Sequence, residues 1–178
     1  SIAWSLEIFV KKLLLRNKVT VISDIHDGYN YGHYTDIIKK WGVDHIHVET
    51  YRFISPYQDL KYLLKLYRNL NNQRYDLVIN IATKPNVYGS IAARWAGVKK
   101  IVCFGWGLGL TFEKTTNPLR IFLKLILSLL YRYAFKISHK VWFTNKHDLD
   151  YLSTRKIINR DKAFLTKGFE LKFFWLDI

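Results

Sequence analysis

The sequence predicts an α/β protein, a Rossmann-like, doubly wound and mostly parallel sheet flanked by helices. Three observations predict it. Leu77-Val78-Ile79-Asn80-Ile81 and Ile101-Val102-Cys103-Phe104 are short apolar runs of the kind needed by strands buried on both faces. A helical pattern lies between them, which makes a βαβ unit. Along the rest of the chain, short apolar runs keep alternating with helical patterns, giving about six strands.

In chain order, Ile2 to Leu15 sets Ala3, Trp4, Phe9, Val10, Leu13 and Leu14 at helical spacing and reads as an amphipathic helix. Val19 to Ser23 is a strand running into the polar loop Asp24-Ile25-His26-Asp27-Gly28. Tyr34 to Trp41 is a short helix stopped by Gly42, and His45 to Glu49 alternates with period two. His45 and His47 share a strand face, but no third ligand lies near them in sequence. A partly exposed sheet edge is the better reading, and no metal is expected. Ser55-Pro56-Tyr57-Gln58 starts a helix, with Ser55 as cap, Pro56 at the first helical position and Gln58 able to reach back. That helix carries Leu60, Leu63, Leu64, Tyr67 and Leu70 on one face, and Asn71-Asn72-Gln73 ends it.

Thr83-Lys84-Pro85-Asn86 reads as a turn after the first buried strand, and the second empties into Gly105-Trp106-Gly107-Leu108-Gly109. Asn117-Pro118 opens the longest helix, which continues to about Ile137. Val141 to Thr144 is a strand, Asn145 with Asp148 suits the start of a short helix, and Ala163 to Leu165 is the last strand.

The 178 residues form one domain by length, large enough to bury roughly 70% of the surface of the unfolded chain. With 49% hydrophobic and 16% aromatic residues, disorder is excluded. The lone cysteine, Cys103, rules out a disulfide framework. Lys and Arg outnumber Asp and Glu by 28 to 14, and the formal charge of +14 attracts polyanions. No apolar run reaches the ~18 residues of a membrane span. Ser1 to Arg16 contains Glu7, Lys11 and Lys12 and no small-residue cleavage site, so it is not a signal peptide.

Ligands of an open parallel sheet bind beyond the carboxyl ends of its strands. That rule selects Asp24 and His26, Thr83 and Lys84, Gly105 to Gly109, and Asn145 with Asp148. Three glycines at alternate positions let backbone approach a ligand, and exposed amides there can meet an anion. Lys84, at a strand end before a helix N-terminus, is placed to hold a phosphate; a solvated lysine is the other reading. Asp24 and His26 read either as an acid/base pair or as a loop carboxylate and a surface imidazole. No P-loop, GxGxxG fingerprint, GxSxG elbow, CxxC or HExxH occurs. The residues by themselves define an α/β domain that binds something anionic.

The longest helix has its own pattern. Arg120, Lys124, Ser128, Arg132 and Lys136 follow one another at intervals of four. At about 100° per residue each step drifts about 40°, so they make one slowly winding stripe on a helix otherwise apolar. Such a stripe suits anionic headgroups, with Phe122, Leu129 or Tyr133 dipping below them. Burial on two sides, by this domain or another, is the competing reading.

The spelling "YDLVI…TK…YGSIAAR.AGVKKIV…GLG", with Arg52…Pro56…Asp59-Leu60 before it and Asn145…Asp148 after it, resembles the N-terminal half of GT-B glycosyltransferases of the glycosyltransferase-4 (group 1) type. Within that type it is most similar to enzymes of lipid-linked oligosaccharide, capsule and lipopolysaccharide synthesis. The resemblance implies that residues 1–168 are the acceptor-side domain, with its first strand clipped, and that 169–178 begin the linker to an absent donor-binding domain. It implies a retaining, metal-independent transfer of sugar from a nucleotide-diphospho-sugar to a glycan or polyprenyl-linked acceptor. The nucleotide-sugar is a substrate held mainly by the other domain, so no cofactor is expected and this segment alone should be inactive. Lys84, Gly105, Trp106, Gly107, Gly109 and Asn145 would line the cleft, with Asp24 and His26 near the acceptor. Trp106 stands where many members have histidine, so a histidine role there does not carry over. The implied location is cytoplasmic, and the spacing in the longest helix adds a peripheral position on the inner face of the membrane, with Arg120, Lys124, Arg132 and Lys136 as the membrane contacts. The alternative is a non-catalytic basic module for nucleic acid or anionic membrane. Its aromatics are scattered and no RNA-binding signature occurs, so nucleic acid is not the expected partner.

Overall fold

The computed structural model describes residues 2–24, 33–51, 53–105 and 116–166. Residues 1–62 and 63–168 belong to two compact units. In the first, helix α1 (Ile2–Leu14) precedes strand β1 (Thr20–Ser23), helix α2 (His33–Lys40) and strand β2 (Asp44–His47). β1 and β2 pair in parallel from Thr20↔Asp44 to Ser23↔His47. Phe9, Val10, Ile38, Val48 and Tyr62 are its buried apolar side chains.

Helix α3 (Pro56–Gln73) begins in the first unit and ends in the second. Its start differs from the sequence expectation. The Ser55 N–H donates to the buried carboxylate of Asp59 at 3.4 Å, so Asp59, not Gln58, reaches back. The buried face also differs. Leu63, Leu66 and Leu70 are buried, while Leu60 and Leu64 are exposed. Asn71 to Gln73 remain helical, and the chain leaves through Arg74 at φ 52°, a left-handed residue after the last turn.

The second unit holds four parallel strands in the order β3 (Leu77–Ile81), β4 (Lys100–Gly105), β5 (Lys140–Phe143), β6 (Ala163–Leu165). Among the described residues the six strands therefore form two separate ladders. Apolar runs announce strands but do not choose their neighbours. The α/β class with parallel sheets and flanking helices is as expected. β4 is interior, and Ile101 to Phe104 are all essentially inaccessible. Phe104, Trp142 and Phe164 stand in one row across β4, β5 and β6. Trp142 meets Phe104 edge-on at 4.6 Å and stacks on Phe164 at 5.9 Å, and its indole N–H donates to Thr166 at 2.6 Å.

Among the described residues, helices α4 (Ser90–Trp95), α5 (Pro118–Ile137) and α6 (Lys146–Thr154) accompany these strands. The segment expected to be a turn after β3 is already helical: Pro85–Gly89 is a π-helical turn running straight into α4. The turn passes close to β3. A Cβ at Gly89 would collide with Asn80 Oδ1, and Asn80 is itself buried and donates to Ser90 Oγ at 3.1 Å.

Gly89→Ala should therefore destabilise by about 1–3 kcal/mol through overpacking. Gly97→Ala, at φ 74° with open space around it, should cost only about 1 kcal/mol of backbone strain. Urea unfolding of the two variants checks the order; equal losses would mean that the Asn80 contact is not tight.

Candidate functional site at the carboxyl edge of the parallel strands

Parallel register brings the carboxyl ends of β3, β4 and β5 to one edge, since Ile81 pairs with Phe104 and Gly105 with Phe143. Lys84, Gly105 and Asn145 leave from that edge. Asp24 follows β1 in the other unit. His26, Trp106, Gly107 and Gly109 lie outside the described residues.

The chain turns from β3 into the helix at Ala82, whose φ is 85°. A non-glycine residue in that region costs about 1–3 kcal/mol, and such strain gathers at functional sites. The turn puts Thr83 and the half-buried Lys84 directly on the strand edge, with Pro85 as the first residue of the π turn. Helix dipole and ammonium there share one sign, a combination suited to a phosphate or carboxylate.

Asn86 fixes that arrangement. Its side-chain amide donates to Phe104 O at 2.8 Å and its oxygen accepts from Phe104 N at 3.2 Å. Both groups are buried, so Asn86 completes the β4 ladder where β3 has turned away. Next to it, Cys103 Sγ lies 3.1 Å from Ser90 Oγ and 3.2 Å from Ser138 Oγ. Burial raises the Cys103 thiol pKa, and the two serine hydroxyls oppose the shift. This is an inert thiol within a polar core, not a nucleophile.

From α5, Tyr131 reaches under the edge. Burial raises its pKa, and hydrogen bonds with the side chains of Thr83 and Asn86 work the other way. Tyr131 and Asn86 were missed by sequence reasoning. Asn86 looked like turn chemistry and Tyr131 like one more apolar residue of a greasy helix. The one available signal was a phenol on the face of α5 that the core requires.

Gly105 answers a packing need. A Cβ there would sit 2.7 Å from the Phe143 ring, so its lack of a side chain makes room for Phe143. Asn145 caps α6: its Oδ1 accepts from Asp148 N at 2.7 Å, and its Nδ2 donates to Asp148 Oδ2 at 2.8 Å. The expected cap is present, and both of its polar atoms are engaged.

In the first unit, Asp24 Oδ2 accepts from Thr50 N at 2.6 Å, and its other oxygen lies 3.9 Å from His47 Nδ1. Asp24 thus ties the end of β1 to the chain beyond β2. Burial pushes the pKa of nearby Tyr62 up to about 12, with the Asp24 charge adding to the rise and a Thr50 hydrogen bond reducing it. His45 Nε2 is 3.0 Å from Ser23 Oγ. Among the described residues no cluster of three His, Cys, Asp or Glu side chains could hold a metal.

The second unit belongs to the class of parallel α/β domains, in which ligands bind beyond the carboxyl ends of the strands. The comparisons narrow the class. Residues 19–145 match the glycosyl transferase 4-like family, and the chain belongs to it. It is 28% identical over 123 residues to the N,N'-diacetylbacillosaminyl-diphospho-undecaprenol alpha-1,3-N-acetylgalactosaminyltransferase of Campylobacter jejuni, covering 67% of this chain and 32% of that one. A 51-residue stretch is 43% identical to the UDP-Gal:alpha-D-GlcNAc-diphosphoundecaprenol alpha-1,3-galactosyltransferase of Escherichia coli, covering 29% of this chain and 13% of that one. The fold is similar to that of MurG from Acinetobacter baumannii, with a TM-score of 0.56 at 11% identity over 91% of this chain and 40% of that one. The chain thus spans about a third or less of the length of the two sequence relatives.

The site region supplies a pH test. Burial lowers the His45 pKa from 6.5, and the neighbouring His47 adds to the shift. Folding therefore favours neutral His45. The stability it confers is complete above about pH 6.5 and is lost as pH falls towards the folded pKa. His45→Gln should flatten the dependence of the urea midpoint on pH between about 7.5 and 5. His139, lowered by burial and by Lys162, Arg94 and Lys100, leaves a residual slope. An unchanged profile would remove His45 as a sensor.

Proposed function

We propose that this chain is the acceptor-side domain of a retaining glycosyltransferase that moves a sugar from a nucleotide-diphospho-sugar to a polyprenyl-diphosphate-linked glycan at the cytoplasmic face of a membrane. The observation that carries the proposal is the family match over residues 19–145, which takes in β1 through β5 and the whole strand-edge turn at Ala82–Lys84. The acceptor class follows the two sequence relatives, both named for transfer to diphospho-undecaprenol-linked sugars. Both names also specify alpha products. From an alpha-linked nucleotide-sugar, that outcome is retention.

In this reading residues 1–168 bind the acceptor, and 169–178 lead towards a donor-binding domain elsewhere. Lys84 and the amides at the start of its helix meet acceptor diphosphate or developing charge. Asp24 acts through the backbone it holds, and His26 is assigned to the acceptor as well. Trp106, Gly107 and Gly109 are assigned to the cleft that faces the donor domain. A metal-independent reaction needs its leaving diphosphate stabilised by cationic side chains and helix ends, the work assigned to the donor domain.

Two measurements test this. In the full reading frame, transfer of radiolabelled sugar to a short-chain polyprenyl-diphosphate acceptor should fall at least about tenfold for Lys84→Ala, with an unchanged melting temperature. A full rate would take Lys84 out of the site. Calorimetry of the 178-residue segment with UDP- and GDP-sugars should show no micromolar binding. Tight binding would overturn the proposed division between acceptor and donor domains.

A further inference from the structure

The amino edge of the four-stranded sheet, at the other end of the strands from Lys84, gathers a second set of cations. There β4 opens at Lys100, β5 at Lys140 and β6 at Ala163. His139, just before β5, completes the β4 ladder. Its backbone N–H donates to the Ile101 carbonyl at 2.8 Å, and its ring Nδ1 accepts from the Ile101 N–H at 3.2 Å. An Nδ1 that accepts carries no proton, so His139 is the neutral tautomer with its proton on Nε2. The exposed imidazole is thereby fixed to the strand as an N–H donor.

Cations surround that donor. Partial burial lowers the His139 pKa, and the charges of Lys162, Arg94 and Lys100 lower it further, so all three lie close to the ring. They come from the residue before β6, the last turn of α4 and the first residue of β4. Lys162 is held in place, since its ammonium donates to the carbonyls of Lys136 and Ser138 at 2.6 and 2.7 Å. An ammonium has three N–H groups, and those carbonyls take two. Asp76 and Asp161 contribute backbone carbonyls to this edge, which accept from Lys100 N at 3.1 Å and from Lys140 Nζ at 3.3 Å. The stripe of α5 is engaged elsewhere: Lys124 lies 5.7 Å from the Tyr151 ring centroid, and Arg132 donates to the Arg155 carbonyl at 3.3 Å.

Strand spacing chooses the ligand. Neighbouring strands lie about 4.8 Å apart, so Lys100, His139 and Lys162, at the heads of β4, β5 and β6, line up over about 10 Å. A hydrogen bond of about 2.8 Å at each end leaves about 4 Å between the outer ligand oxygens, wider than one phosphate group. We infer that this edge binds an oligophosphate, a chain of two or three phosphoryl groups, with His139 Nε2–H and the Arg94, Lys100 and Lys162 side chains as donors. The Arg94 guanidinium supplies the forked N–H pair that phosphate oxygens accept. The donors gather round one imidazole, which suits a compact anion better than the long cationic track and stacking platform of a nucleic-acid surface. Lys100 and Gly105 stand at opposite ends of β4, about 17 Å apart along the strand. The site is thus separate from the strand edge assigned to transfer, and the inference does not rest on that assignment.

Imidazole NMR of the full reading frame tests it, with the His139 signal assigned by His139→Gln and with inorganic triphosphate and adenosine triphosphate as probes. A bound anion favours the charged imidazole, so the His139 titration midpoint should move up when either probe is added. The probe that acts at the lower concentration tells whether a free phosphate chain or a nucleotide is the better ligand. Inorganic phosphate should need a higher concentration than triphosphate. Arg94→Gln and Lys100→Gln should each raise the half-saturating triphosphate concentration about tenfold, with an unchanged melting temperature when no probe is present. Lys84→Ala should leave it unchanged. An unmoved His139 midpoint, an undiminished response in both Gln variants, or a response abolished by Lys84→Ala would overturn the inference. Tighter binding of a DNA oligonucleotide than of triphosphate, with a steep salt slope, would do the same. Sugar transfer, measured in parallel, reports on the catalytic reading separately.

Discussion

The second unit depends on the pairing of the Asn86 amide with both backbone groups of Phe104. A central strand must satisfy its ladder on both sides, yet β3 stops at Ile81 and turns sharply away. Leaving a buried N–H or carbonyl unpaired costs about 1–3 kcal/mol each. Asn86 meets both needs with one side chain, and in doing so holds the start of the following helix against the end of β4. The π turn, the strained Ala82 and the position of Lys84 all follow from that attachment. π turns interrupt regular helices and recur at functional sites, and here the turn carries the residue that anchors the strand edge.

Beneath that edge lies a run of small polar groups: Asn80, Ser90, Cys103 and Ser138, all buried. Each has a partner, from Asn80 to Ser90 at 3.1 Å, from Ser90 to Cys103, and from Ser138 to the Ala134 carbonyl at 2.7 Å. Lys162 closes the far end by donating to the carbonyls of Lys136 and Ser138 at 2.6 and 2.7 Å. A satisfied network of this kind specifies one packing of α4, α5 and β4, where an all-aliphatic core would accept several.

The sequence made β3 and β4 legible because strands buried on both faces are spelled as unbroken apolar runs. The caps were also legible: Asn117 accepts from Leu119 N and Arg120 N, as its position before Pro118 suggests. What failed was the choice between overlapping faces. Leu60, Leu63, Leu64, Leu66 and Leu70 contain two helical stripes, and only tertiary contact picks the buried one. Thr83 to Asn86 read as a turn because proline and asparagine mark turns. A proline at the first position of a helix leaves the same trace. The strand-end rule picked out Asp24 and Lys84, and in the structure they do follow β1 and β3. It could not foresee that Gly105 serves Phe143, or that Asn145 spends both polar atoms on Asp148.

One element joins the strand edge to the exposed surface of the second unit. In α5, Tyr131 turns inwards to Thr83 and Asn86, while Leu129 and Tyr133, each about 200° away around the helix, turn outwards. A rigid helix of 20 residues, about 30 Å long, cannot move one of these faces without the other.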